Sequence, residues 1–141
     1  MIAKVVETKK EKEEAFFIRE TVFVNEQNVA RDLEYDEFED EAIHFIAYDE
    51  TMPIGAGRLR FVDGFAKVER LCILKEYRGK KIGSLLMKTI EIEGNKQGYK
   101  HFKLNAQVQA IPFYEKLGYH NVSKETFLDA GIPHVEMRKM R

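Results

Sequence analysis

In Leu71-Cys72-Ile73-Leu74-Lys75-Glu76-Tyr77-Arg78-Gly79-Lys80-Lys81-Ile82-Gly83-Ser84-Leu85-Leu86-Met87, an apolar β-type run breaks into a basic turn with two glycines and then into helical spacing. A helix that starts near Gly79 leaves its first backbone N–H groups without intrahelical acceptors. Those donors, together with the positive end of the helix dipole, favour an anion such as a phosphate. Gly79 and Gly83 allow close approach of a ligand, and Arg78, Lys80 and Lys81 add a salt-dependent attraction. The competing reading of the turn alone is a solvated basic loop before an ordinary amphipathic helix.

The flanking elements give the turn its setting. Downstream, Ile82, Leu85, Leu86 and Ile90 mark one face of a helix, and Gly98 suits its left-handed cap. Residues 99–106 then read as a strand, so strand, helix and strand form a right-handed crossover with a parallel pair. Upstream, residues 42–49, 54–62 and 66–74 alternate as strands around turns at 50–53 and at Asp63-Gly64, which predicts an antiparallel meander.

Residues 2–7 read as a first strand and 9–25 as a helix with Ala15, Ile18 and Val22 inward, widened by Phe16 and Phe23. Ala110, Phe113, Tyr114 and Leu117 have helical spacing, with Pro112 early and Gly118 terminal. Strands at 119–127 and 134–140 flank a turn at 129–133. The expected fold class is α/β (α+β): a mixed, mostly antiparallel sheet with one central parallel pair and flanking helices. The basic turn then lies at a carboxyl strand end, where open α/β sheets bind ligands.

With 141 residues and 44% hydrophobic content, the chain fits a single domain over residues 1–141. Its formal net charge of −1 argues against a nucleic-acid partner, which calls for a basic face. Cys72 is the single cysteine, so no intramolecular disulfide forms, and no Cys/His spacing suggests a metal. No apolar run reaches the length of a membrane span and the N-terminus lacks a signal-peptide pattern, so a cytoplasmic location is expected.

Three segments in order resemble the GNAT acetyltransferase superfamily: Val68-Glu69-Arg70-Leu71-Cys72-Ile73, Arg78-Gly79-Lys80-Lys81-Ile82-Gly83, and Ala110-Ile111-Pro112-Phe113-Tyr114-Glu115-Lys116-Leu117-Gly118-Tyr119. The resemblance spans nearly the whole chain. It implies an N-acetyltransferase that uses acetyl-CoA as cosubstrate, without a metal, to acetylate a primary amine of a small molecule or peptide. Backbone groups of Leu71, Cys72 and Ile73 would pair with the pantetheine arm as an added strand. The Arg78, Gly79, Lys80, Lys81, Ile82, Gly83 and Ser84 turn would hold the pyrophosphate. Lys81 departs from the family's Arg/Gln-x-x-Gly-x-Gly/Ala pattern by replacing its first glycine, a change that backbone contacts tolerate if Lys81 is helical. Gln107 stands where many relatives carry Asn. Together with Val24-Asn25-Glu26-Gln27 and Gly131-Ile132-Pro133-His134, it resembles a small bacterial branch of undefined substrate.

Acetyl transfer needs a neutral amine, stabilisation of a tetrahedral oxyanion, and a proton for the departing thiolate. The resemblance gives the acid role to Tyr114; its competing role is a core aromatic. Glu69 is the candidate base, expected to share a strand face with Leu71 and Ile73, against a structural ion pair with Arg58 or Arg60. Cys72, expected on the opposite face, raises a covalent acyl-enzyme as the competitor to direct transfer in a ternary complex. His134 is a candidate substrate-side residue. The acidic run at 34–41 reads as a solvated surface or as a site for a cationic acceptor. A non-catalytic acyl-CoA sensing module is the alternative function. A synthase of a signalling lactone, suggested by Phe23-Val24-Asn25-Glu26-Gln27, ranks behind both. A homodimer stays open.

Overall fold

The computed structural model of the chain describes residues 1–140. Thr8 opens the first helix with a capping box: its hydroxyl accepts from the Glu11 N–H at 3.1 Å, and Glu11 accepts from the Thr8 N–H at 3.1 Å. The helix, α1, runs Lys9–Arg19 and continues as a π-helical segment over Glu20–Glu26. The expected helix at 9–25 is therefore present, with its last turns widened.

Strand β1 (Ile2–Val5) pairs with β2 (Ile43–Asp49), which leads through β3 (Met52–Val62) into β4 (Phe65–Ile73), all antiparallel. A short helix, α2 (Arg31–Glu34), precedes β2. Helix α3 (Ile82–Lys96) crosses to β5 (His101–Gln107), which lies parallel to β4. After α4 (Ile111–Lys116) come β6 (His120–Asn121), β7 (Phe127–Asp129) and β8 (Ile132–Met140). The sheet order is β1-β2-β3-β4-β5-β8-β6, with β7 also on β8. A mixed sheet with one parallel pair is the expected architecture.

The strand expected at 119–127 is two short strands, because Asn121 Oδ1 accepts from the Ser123 N–H at 2.8 Å and turns the chain into an exposed polar stretch. β8 begins at Ile132, two residues earlier than expected. Ala130 and Gly131 have φ of 52° and 77°, which confines the hairpin loop to two residues.

Two apolar layers sandwich the sheet. On one face Ile82, Leu86 and Ile90 of α3 pack with Phe45, Leu59, Val68, Phe102, Leu104 and Met137. On the other, Ala15, Ile18 and Val22 cover Ile46, Ala56 and Cys72. Helix α1 packs on β2, β3 and β4.

One irregularity in β4 repositions every residue after it. Arg58 faces Glu69 and Ala56 faces Cys72, so Gly57 opposes two residues, and Arg70 takes φ +57°. This is a β-bulge. Because Arg58 and Ala56 lie two apart on one face, Glu69 and Cys72 share the α1 side, while Leu71 and Ile73 pack with the α3 layer. The face assignment expected for Glu69 is thereby corrected: strict alternation fails at Arg70.

Candidate active site

The β4–β5 ladder pairs Ala66 to Val68 with Phe102 to Leu104 and stops there. Beyond it the strands diverge, and a cleft of about 960 Å³ opens between them. Its walls include Leu71, Cys72 and Ile73 from β4, Asn105 and Gln107 from β5, Tyr114 from α4 and His134 from β8. Its lining takes Val22 and Phe23 from the α1 side and Ile82 and Phe113 from the α3 side, so the cleft passes through the sheet.

At the α3 end lies the basic turn. Gly79 has φ +81°, and Lys81, the residue before Ile82, has φ +65° and ψ 19°. Lys81 is thus left-handed, so the helical backbone on which its replacement of the glycine was conditional is not met. It adopts the conformation that a glycine would take without cost. No side chain caps the start of α3, which leaves its first N–H groups facing the turn. Gly83 meets a separate constraint: a Cβ there would stand 3.0 Å from the Phe113 ring, which would have to shift by a few tenths of an ångström. Arg78 donates from Nε to the Ile73 carbonyl at 3.0 Å and holds Glu26 through two bonds of 2.7 and 2.8 Å.

That Glu26 contact is one the sequence reading missed. Gln27 is another: it accepts from Gln107 Nε2 at 2.9 Å, which ties the end of the π-helical segment to the end of β5. The two unusual features of the sequence, the Val24-Asn25-Glu26-Gln27 segment and Gln107, are partners in space.

Tyr114 is 8% exposed, and its ring meets Phe113 and Tyr119 edge-on at 4.9 and 6.0 Å. Burial, with a smaller contribution from Cys72, pushes its pKa up, so the phenol keeps its proton. Burial also raises the pKa of the Cys72 thiol, with Glu34 adding to the effect. A buried thiol is a poor nucleophile.

Glu69 accepts from Arg58 Nη2 at 2.7 Å and from Arg60 Nε at 2.8 Å, with Lys67 Nζ at 3.0 Å. Burial alone would raise its pKa. The Arg60 hydrogen bond and the charges of Arg58 and Lys67 outweigh it and hold the carboxyl at about 2. A carboxylate with three cationic partners is a weak proton acceptor. The geometry therefore matches the structural ion pair weighed against the base role.

His134 is 8% exposed, stacks on Phe127, and lies with Nδ1 2.6 Å from the Ile132 carbonyl. A carbonyl only accepts, so Nδ1 carries a proton, and Nε2 is the ring nitrogen left for a substrate.

The acidic run at 34–41 is not a solvated patch throughout. Glu34 and Glu39 bind Arg19, at 2.6 and 2.7 Å, and Asp36 grips Arg58 through bonds of 2.7 and 2.8 Å. Arg70 reaches Glu34 at 3.1 Å. Of these three carboxylates Glu34 lines the cleft, and all three are already held by arginines. Arg19 and Arg58 are fully buried, which the flanking sequence signals only by placing Arg19 beside the inward Ile18.

A family model described as an acetyltransferase (GNAT) domain matches residues 6–141. The chain belongs to the GNAT acetyltransferase family. As a GNAT chain it is an acyltransferase. It is 47% identical over 139 residues, 99% of each protein, to the uncharacterized N-acetyltransferase YjcF of Bacillus subtilis. It is 41% identical over 142 residues, 99% of this chain and 95% of the relative, to the uncharacterized protein YyaT of the same organism. An acyl-CoA N-acyltransferase structure from Pseudomonas aeruginosa superimposes with a TM-score of 0.86 at 23% identity over 99% of both chains. An aminoglycoside 6'-N-acetyltransferase complexed with coenzyme A does so with 0.78 at 18%, over 99% of this chain and 97% of that one. At those identities the likeness shows the fold. No described helix is long and apolar enough to cross a membrane.

Proposed function

We propose that this GNAT protein is an acetyl-CoA-dependent N-acetyltransferase that moves an acetyl group to a primary amine by direct transfer in a ternary complex. The observation that carries the proposal is the split between β4 and β5, with a protonated phenol in its wall and free helix N–H groups at one mouth. Bound acetyl-CoA supplies an activated acyl carbon and a thiolate leaving group. The edge of Leu71, Cys72 and Ile73 beyond the β4–β5 ladder supplies strand-type hydrogen bonds to an extended arm. Gly79, Lys80, Lys81, Ile82, Gly83 and Ser84, with Arg78, supply the phosphate contacts.

For proton traffic, Tyr114 gives the phenolic proton to the leaving sulfur. His134 Nε2, not Glu69, takes the proton released as the amine nitrogen forms its bond to the acyl carbon. Support for this division is the Nδ1 contact of His134 to the Ile132 carbonyl, which leaves Nε2 to face a substrate, and the three cations on Glu69. Raising the pKa of Cys72 disfavours an acyl-cysteine and favours direct attack. The cytoplasmic location expected from the sequence belongs to this reading.

Calorimetric titration with acetyl-CoA tests the reading first. One-to-one binding weakened by Lys81→Glu supports it, and absence of binding to folded, CoA-free protein overturns it. For His134, replacement by glycine should lower kcat about 100-fold, with partial recovery on adding imidazole. Full activity in that variant would remove the role.

A further inference from the structure

One row of the sheet is cationic from strand to strand. Arg60 faces Lys67, Lys67 faces Lys103, and Lys103 faces Arg138. The row crosses four strands and spans roughly 14 Å at the usual strand spacing. Its neighbours Leu59, Val68, Leu104 and Met137 point into the α3 layer, so the row projects to the α1 side. Helix α1 packs on β2, β3 and β4, which leaves that side of β5 and β8 uncovered by it.

Like charges directly opposite one another on a sheet destabilise it. Internal compensation here is partial. Arg60 and Lys67 share the Glu69 carboxylate, which also serves Arg58, and Arg138 donates to Glu136 at 2.6 Å. Lys103 has no ion-pair partner among the described residues; its ammonium and the Arg138 guanidinium lie 5.1 and 4.8 Å from the centre of one ring, Phe65. The row also reaches the reaction cleft, because Lys67 lines it beside Asn105.

We infer that the acceptor is a primary amine whose carrier bears an anionic group, a carboxylate or a phosphate, seated on Lys103 and Arg138. This rests on the N-acetyltransferase reading and names the substrate class of the same site. An anion on the row offsets the repulsion among its cations and orients the carrier with its amine toward Lys67 and the cleft. The same cations disfavour an ammonium at the mouth and so favour the neutral, nucleophilic amine. Within the acidic run, Glu34, Asp36 and Glu39 are already held by Arg19, Arg58 and Arg70.

The test compares three amines of equal spacing: neutral ethanolamine, β-alanine and O-phosphoethanolamine. At low ionic strength the better anionic amine should exceed ethanolamine in kcat/KM by about fivefold or more, and that ratio should shrink as salt shortens the screening length. In the Lys103→Glu, Arg138→Glu double variant the ratio should fall to one or below. Which anionic amine leads identifies carboxylate or phosphate as the recognised group. Equal or better use of ethanolamine, or a ratio that survives the double substitution, overturns the inference.

If none of the three amines turns over, the row is read directly by NMR titration of the CoA-saturated protein with succinate and with inorganic phosphate. Saturable shifts at Lys103 and Arg138 that vanish in the double variant support the site; their absence overturns it. Acetyl-CoA affinity, measured separately, tells whether the parent reading has failed instead.

Discussion

Arg58 and Glu69 meet across β3 and β4 with Nη2 2.7 Å from Oε1, and the arginine is fully buried. The contact fixes Glu69 as a charged strut. Arg58 simultaneously holds Asp36, so β3, β4 and the loop before β2 are joined through one guanidinium.

Acid stability follows from the two carboxylates on Arg58. Glu69 and Asp36 are each held at about 2, below ordinary values of 4.5 and 3.8. Their depressed folded pKa values give stability that is present above the unfolded values and is lost as pH falls from about 4.5 to about 2. Denaturant midpoints measured across that range should drop steeply, and Glu69→Gln should flatten the slope while lowering stability at pH 7 by about 3 kcal/mol. A slope identical to that of the parent protein would contradict the ion-pair assignment.

Tyr114→Phe removes one hydroxyl and leaves the ring packing of Phe113 and Tyr119 in place. Turnover should fall by about 100-fold or more, while acetyl-CoA affinity by calorimetry changes little. Equal losses in both quantities would point to a binding role instead of an acid.

Lys81→Gly should stabilise the fold by about 0.5–1 kcal/mol, because left-handed backbone costs a lysine more than the entropy that glycine adds to the unfolded chain. Acetyl-CoA affinity should fall only modestly if backbone N–H groups dominate. A destabilised glycine variant, read by thermal melting, would show that the Lys81 side chain holds the turn.

Cys72→Ala should retain activity within a few-fold, and the native thiol should resist iodoacetamide, since burial keeps it protonated. Loss of activity with a native melting profile, or trapping of an acetyl-cysteine, would restore the covalent route.

Local pattern determined much of this protein. Apolar spacing of 3.6 placed α1, α3 and α4, alternation placed the meander, and the crossover rule made β4 and β5 parallel, because each of these signals is written in residues a few positions apart. The basic turn was legible for the same reason: glycines, cations and a helix start are contiguous. Tertiary structure alone decided the rest. The Arg70 bulge turned Glu69 to the side of Cys72, since alternation holds only while the ladder is regular. Glu34, Asp36 and Glu39 of the acidic run turned inward because Arg19, Arg58 and Arg70 arrive from α1, β3 and β4 to neutralise them, while Glu37, Asp40 and Glu41 stay exposed. The cationic row of Arg60, Lys67, Lys103 and Arg138 exists only through register, which sets side by side residues that the chain keeps as far as 78 positions apart, from 60 to 138.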